Sequence, residues 1–372
     1  MITEKIVKFI EKETVLTVAW LLALLSAIIV HPSLDYVGYI DFRSLGILWS
    51  LMVIMQGLSS KGFFDTIGQA LLKKTKRIWQ LVAVLVFLCF FLSMFITNDV
   101  ALLTFVPFAM YILHECDKDD LLIPVIVLQT LAANLGSMLT PVGNPQNLYL
   151  YGLSGMALID FIKIMLPYSA VTFVLLCISI AFIKGKTEEV KATSGKGEYG
   201  IKGKRIVAVY GLLFLLSLLV VVRLIPYYIL IGVVLVVVFI IDKSSIKNID
   251  YALLFTFVGF FIFTGNLGNI DAVKDMLTRV ICGHEVLMGV ISSQAISNVP
   301  AALLLSPFTD DYKHLIIGVN LGGLGTLIAS MASLISFKLL AHKYNELKGK
   351  YFLYFTFMNI LYLAVLLMVL VL

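Results

Sequence analysis

Two polar interruptions recur at matching places in the two halves of an otherwise oily chain. Ile96-Thr97-Asn98 precedes Pro107-Phe108, and 200 positions later Ile296-Ser297-Asn298 precedes Pro307-Phe308 at the same spacing. Asn134-Leu135-Gly136 with Thr140 is echoed by Asn320-Leu321-Gly322 with Thr326, and Ile40-Asp41-Phe42 by Ile249-Asp250-Tyr251. Backbone polar groups at bilayer depth must be satisfied, so breaks there are tolerated only inside protein or along a water-filled cavity. Matched breaks in two copies of one unit predict a binding site where the copies meet.

The surroundings make the membrane unavoidable. Hydrophobic residues form 60% of 372, charged residues 14%, and mean hydropathy is +1.00. Soluble domains are not built that way. Val15–Val30, Trp79–Phe95, Ile206–Val222, Tyr227–Ile241 and Phe352–Leu372 are each long enough to cross a ~30 Å hydrocarbon core as helices. Glu11 and Glu13 beside Lys12, with no small-residue cleavage site, make the first a retained span. The net charge of +5 does not suggest nucleic acid.

The expected fold is an all-α polytopic membrane protein with about nine transmembrane helices and two re-entrant hairpins in two inverted repeats. The crossings are expected near 14–30, 43–60, 120–141, 157–183, 205–223, 226–241, 250–268, 313–336 and 351–371. The first repeat covers 14–183, with a hairpin at 78–113 and a broken helix at 120–147. A basic cytoplasmic linker and a connecting helix fill 184–225. The second repeat covers 226–372, with a hairpin at 284–308 and a broken helix at 313–336. Segments 63–74 and 271–280 read as interfacial amphipathic helices.

Loops on one side hold 22 Lys and Arg; those on the other hold five, Arg43, Arg223, Lys274, Arg279 and Lys313. The positive-inside rule then predicts a plasma-membrane (bacterial inner membrane) protein with its amino terminus cytoplasmic and its carboxyl terminus outside. The split is the same whether the hairpins re-enter or cross.

Four stretches carry the chemistry. Thr97-Asn98-Asp99 and Ser297-Asn298-Val299-Pro300 read as hairpin tips, with Thr97 and Ser297 capping the second arms and Pro300 in a first turn. The segment from Asn134 through Gly136, Ser137, Thr140, Gly143, Asn144 and Pro145 reads as an unwound stretch inside a crossing. So does Asn320 through Gly322, Gly323 and Thr326. Helix N-termini and side-chain amides there can hold an anion without Arg or Lys. Freed carbonyls with a carboxylate suit a small hard cation. A sodium site is placed near Asn98, Asp99, Gly136 and Asn144. The alternative is that the glycines only allow close helix packing. Asp99, a carboxylate at membrane depth, is the coupling group, as a sodium ligand or a proton carrier, or else a plain helix cap.

At these residues the chain resembles the ion-transporter superfamily of citrate carriers, arsenite permeases, sodium/proton antiporters and dicarboxylate/sodium symporters. The matching motifs are Thr97-Asn98-Asp99 with Pro107, Ala133-Asn134-Leu135-Gly136 through Gly143-Asn144-Pro145-Gln146-Asn147, Ser297-Asn298-Val299-Pro300 and Asn320-Leu321-Gly322-Gly323. The Gly-Asn-Pro-Gln-Asn box is most similar to small bacterial anion permeases of the citrate-transporter type. The resemblance implies a scaffold, a mobile transport domain and elevator-like movement. Asp99 and Val299 depart from the Ser-Asn-Thr tips of the dicarboxylate branch and set a two-sodium site in doubt. The expected activity is secondary transport of a small anion or oxyacid driven by a proton or sodium gradient. No cofactor and no enzymatic role are expected, and a homodimer is a possible assembly. Cation/proton antiport through Asp99 is the alternative, and a non-transport membrane protein is a further one.

Overall fold

A computed structural model describes residues 13–72, 75–189 and 203–370. Most of the basic linker, at 190–202, lies outside the described residues. Setting aside short turns of helix, the first half contains α1 (Thr14–Ile29), α2 (Phe42–Ser60), α3 (Phe63–Leu72), α4 (Ile78–Ile96), α5 (Asn98–Glu115), α6 (Leu122–Ser137), α7 (Pro145–Ser154) and α8 (Leu158–Ala181). A connecting helix, α9 (Lys204–Val221), follows. The second half contains α10 (Tyr227–Ile241), α11 (Tyr251–Gly268), α12 (Asp271–Ile281), α13 (Glu285–Ile296), α14 (Asn298–Leu305), α15 (Tyr312–Leu321), α16 (Met331–Lys343) and α17 (Lys348–Val369).

The chain is an all-α polytopic membrane protein. Among the described residues, 7 helices have the length and composition to cross a membrane. Shorter apolar helices are Thr14–Ile29, Tyr227–Ile241, Glu285–Ile296 and Asn298–Phe308. Apolar residues surround most of these helices, so each faces either lipid or another apolar helix. α6 is buried along almost its whole length, whereas α9 and α17 expose apolar flanks.

Two aspartates start matching helices by the same means. Ser44 N donates to Asp41 Oδ1 (3.0 Å) at the head of α2, and Leu253 N to Asp250 Oδ1 (3.2 Å) at the head of α11. Each bond satisfies a donor the helix itself leaves open. α1 runs parallel to α11: Trp20 Nε1 donates to Phe255 O (3.1 Å), and nearer the other end Asn266 Nδ2 donates to Ser26 Oγ (2.9 Å). α2 runs parallel to α10. A side chain on Gly46 would meet Ile231 at 2.4 Å, and at the far end Lys61 pairs with Asp242 (3.0 Å).

Burial opposes the Asp242 charge, but hydrogen bonds from Ser244, Lys61 and Ser245 and the Lys61 charge outweigh it, bringing the carboxyl down to about 2. A depressed carboxylate stabilises the fold above its unfolded value and loses that contribution as pH falls through the folded value. Asp242→Asn is therefore expected to cost about 2 kcal/mol at neutral pH. Thermal unfolding in detergent checks this: the gap between wild type and variant should close between about pH 4 and pH 2.

The two hairpins close at the bottom as well as at the tip. Gln129 on α6 donates to Leu85 O on α4 and Phe105 O on α5, both at 3.2 Å, so the arms fold back side by side. At the first hairpin's base, Ile78 N and the Lys118 ammonium both bond Glu188. At the second's, Thr309 Oγ1 donates to Glu285 Oε1 (2.9 Å). α3 and α12 form where amphipathic helices were expected. Both broken helices resume for longer than the sequence suggested, to Ser154 and Lys343, because their second segments are themselves helical, the first of them capped by Asn144.

Candidate functional site

Each hairpin turns on one residue with positive φ. Thr97 has φ 70° and Ser297 φ 74°. Non-glycine residues held there cost about 1–3 kcal/mol each. The conformation also overturns one expectation: neither hydroxyl caps its helix. A capping residue needs extended φ to aim its oxygen at the first turn, and these residues lack it. Asn98 Oδ1 accepts from Asp99 N instead (3.0 Å), while Ser297 Oγ reaches Asn298 Oδ1 and Ala329 O, both at 3.5 Å. Pro300 lies buried in the first turn of α14.

The breaks meet the tips through small residues. A Cβ on Gly136 would lie 2.2 Å from Phe90 O, and one on Gly322 2.5 Å from Ser293 Oγ. A Cβ on Gly323 would lie 2.9 Å from Asn298 Nδ2, which sets that tip amide directly on the second break. Asn98 N donates to Gly143 O (3.1 Å). Thr140 and Thr326 brace the hairpins. Thr140 Oγ1 donates to Met94 O, three residues before the first tip; Thr326 Oγ1 donates to Gln294 O (3.3 Å), three before the second.

At the centre, each half's asparagine is held by the other half's restarting helix. Asn144 caps α7, with Asn147 N donating to its Oδ1 (3.0 Å), and Pro145 takes the first helical position. Asn144 Nδ2 donates to Asn320 Oδ1 (3.2 Å) and to Ser137 Oγ (3.2 Å). Reciprocally, Ser330, at the head of α16, donates to Asn134 Oδ1 (3.0 Å). Asn320 Nδ2 donates to Asn147 Oδ1 (2.6 Å), and Asn134 Nδ2 to Ser333 Oγ (3.2 Å). Asn98 Nδ2 joins by donating to Asn134 Oδ1 (3.1 Å). The N-termini of α5 and α14, at the tips, and of α7 and α16, at the restarts, lie beside this network. It contains no lysine or arginine, so positive potential there comes from peptide and amide dipoles.

Asn98, Asn134, Ser137, Asn144 and Asn320 are therefore joined in one hydrogen-bonded cluster. Thr326 stands at its exposed edge. Asp99 is half-buried in the first turn of α5, and its carboxylate makes no hydrogen bond or ion pair with the described residues. The equivalent Val299 is buried. Among the described residues no group of three or more His, Cys, Asp or Glu is placed to hold a metal ion.

Sequence reasoning gave no site role to four members, although Asn147 lay within the Gly-Asn-Pro-Gln-Asn box. Asn147, Ser330 and Ser333 complete the cross-bonds. Gln294 knits the second hairpin to its break: its Nε2 donates to Gly322 O (3.0 Å) and Leu324 O (2.9 Å), and its Oε1 accepts from Thr326 N (2.9 Å). Gln146, 1% exposed beside the cluster, has a buried Oε1 with no partner. A glutamine at membrane depth was the available signal for Gln294, and for Gln146 it was its place in the Gly-Asn-Pro-Gln-Asn box.

A polytopic helical protein with two hairpin tips and two unwound helices sharing one polar centre is built as a membrane carrier. The chain belongs to the citrate transporter family, whose model matches residues 1–313. It is thus a membrane transporter, not an enzyme. It is 34% identical over 316 residues to an uncharacterized transporter of Methanocaldococcus jannaschii, covering 84% of each chain. It is 30% identical over 315 residues to the inner membrane protein YbiR of Escherichia coli, covering 81% of this chain and 80% of that one. A shorter similarity, 29% over 133 residues, links it to the silicon efflux transporter LSI3 of rice, covering 36% and 27%.

Proposed function

We propose that this transporter moves a small anion or oxyacid across the plasma membrane, driven by a proton or sodium gradient. The reciprocal bonding of Asn134 and Asn320 to the opposite half's restarting helix carries the proposal. It sets helix N-termini and side-chain amides around one point without a fixed cation, which suits a solute whose charge is small or offset by a coupling ion. Asn98, Asp99, Ser137 and Asn144 supply oxygens of the hard type that sodium prefers. The halves are inverted repeats with the amino terminus cytoplasmic. Hairpins and broken helices move together against a scaffold of α1, α2 and α9 to α11, in an elevator-like step. The unpartnered Asp99 carboxylate favours one second reading, cation/proton antiport.

The family name points to citrate and one relative's name to silicon, so a screen must span carboxylates and inorganic oxyacids. Thermal unfolding of purified protein is followed with citrate, succinate, sulfate, arsenite and phosphate, with and without sodium, at two pH values. At a concentration 100 times its Kd, the true solute is expected to stabilise the fold by about 2.7 kcal/mol. Asn144→Leu should remove that stabilisation from the central site. If no solute stabilises wild type at any sodium or proton concentration, the shared site is wrong. Stabilisation by sodium or protons alone, with no solute effect, would favour antiport.

A further inference from the structure

α7 joins the central cluster at Asn144 and ends at Ser154, about 15 Å away at the usual helical rise. Its far end carries an unusual concentration of positive charge. Arg223, itself held at φ 66°, grips the terminal carbonyls: Nη1 donates to Gly155 O (2.9 Å), and Nη2 to Tyr151 O (3.0 Å) and Gly152 O (3.4 Å). Its guanidinium also lies over the Tyr151 ring at 5.4 Å. Arg223 is thereby satisfied.

Arg43 is not. Its Nη2 is buried without a partner, and so is Ser44 Oγ, on a residue only 3% exposed. The other guanidinium nitrogen, Nη1, and Ser44 Oγ both stand against Gly152. A Cβ on Gly152 would lie 2.9 Å from Arg43 Nη1 and 3.2 Å from Ser44 Oγ. The nearby acid, Asp41, spends its carboxylate on capping α2 through Ser44 N and forms no ion pair with Arg43. Partial burial and the neighbouring Arg223 charge disfavour the Arg43 cation, and the Asp41 charge offsets them only in part. A buried cationic donor without an acceptor is costly, and a second positive charge raises that cost.

We propose that Arg43 and Ser44, set against Gly152, form a second anion subsite that takes a single oxyanion group, a carboxylate, sulfate or phosphate. This subsite would receive the solute's anionic group one helix length before the central cluster, and that role rests on the transport reading above. The same donors would also fit the phosphate of a lipid headgroup, so the test separates the two sources. An acceptor there would offset both arginines and satisfy Ser44 Oγ with charge-assisted bonds. A side chain at position 152 would press on both donors and crowd any group bound to them.

The test uses full-length protein in neutral detergent, titrated with inorganic sulfate and, separately, with a short-chain phosphatidic acid, and read by thermal unfolding. Sulfate stabilisation should persist in Asn144→Leu, weaken about tenfold in affinity in Arg43→Gln and Gly152→Ala, and vanish in the Arg43→Gln/Asn144→Leu double variant. Ser44→Ala, the smallest change, covers the case in which Arg43→Gln fails to fold. Stabilisation by phosphatidic acid but not sulfate, lost in Arg43→Gln, would assign the subsite to lipid. Sulfate stabilisation that is lost entirely in Asn144→Leu and untouched in Ser44→Ala and Gly152→Ala would overturn the subsite and leave the central site standing. Stabilisation by every solute that is unchanged in Asn144→Leu and lost in Arg43→Gln would keep the subsite and sink the central site.

Discussion

Gly143→Ala is expected to abolish solute binding while leaving the protein inserted and monodisperse. A Cβ at this position would lie 2.0 Å from Ser137 O, 2.7 Å from Ser137 C and 2.8 Å from Ser137 Cα. All three are atoms of the main chain, so no side-chain rotation relieves the clash, and the unwound stretch itself must move. Gly143 O also accepts from Asn98 N, the donor that seats the first tip on the break. Moving that carbonyl releases the tip and shifts Asn144, which follows immediately. Displacements of about 1 Å at a binding constellation cost on the order of a hundredfold, and this one disturbs two of its four elements. Gly323→Ala should be milder, because the methyl's nearest neighbour there would be the Asn298 side-chain amide at 2.9 Å, with the nearest backbone atom, Asn320 O, at 3.3 Å. Gly211→Ala and Gly232→Ala serve as controls. Nothing lies within 4 Å of either Cβ, and both stand inside helices, so they should be neutral or stabilising by up to about 1 kcal/mol. Ligand-dependent thermal shift with gel filtration separates lost binding from lost folding. A Gly143→Ala protein that binds as tightly as wild type would remove the first break from the site.

The architecture was legible because a membrane punishes every unsatisfied backbone group, so polar residues in apolar runs mark where helices stop. Thr97-Asn98 and Ser297-Asn298 announced the tips, and the glycines at 136, 143, 322 and 323 the breaks. The bonding among them was not legible. Asn134 and Ser330 are 196 positions apart, and Ser330 in an apolar setting reads as a packing residue. Only the fold brings it to the asparagine of the other half. Thr140 and Thr326 were expected to face solute, yet their hydroxyl protons go to Met94 O and Gln294 O, which leaves their lone pairs for any ligand. The capping expected of Thr97 and Ser297 failed for a local reason: spacing shows where a turn falls but not that φ there is positive. The asymmetry at 94 and 294, methionine against glutamine, was visible in the sequence. Its consequence was not, because an amide's value depends on carbonyls freed by a break 28 residues further on.

Asp99→Asn is expected to uncouple transport. The substitution keeps the shape of the side chain and removes both its charge and its capacity to carry a proton. A carboxylate at membrane depth is costly, and apart from the α5 N-terminus on which it sits no described side chain offsets it. A cation taken from solution is the remaining partner. With that cation absent, Asp99 would repel an approaching anion, and in a medium of low effective dielectric the repulsion between close charges amounts to several kcal/mol. With the cation present the repulsion disappears, so solute and cation bind together, which is the condition for one gradient to drive the other. Asparagine imposes no such condition. The variant should lose gradient-driven accumulation in proteoliposomes, a wild-type accumulation of about tenfold for each 1.4 kcal/mol of gradient delivered. It should still exchange labelled for unlabelled solute at saturating concentration, independently of sodium and pH. Val299→Asp should not restore coupling, since that position belongs to the half where Gln294 already ties the hairpin to its break. An Asp99→Asn protein that concentrates solute as steeply as wild type under a sodium or a proton gradient would place the coupling group elsewhere.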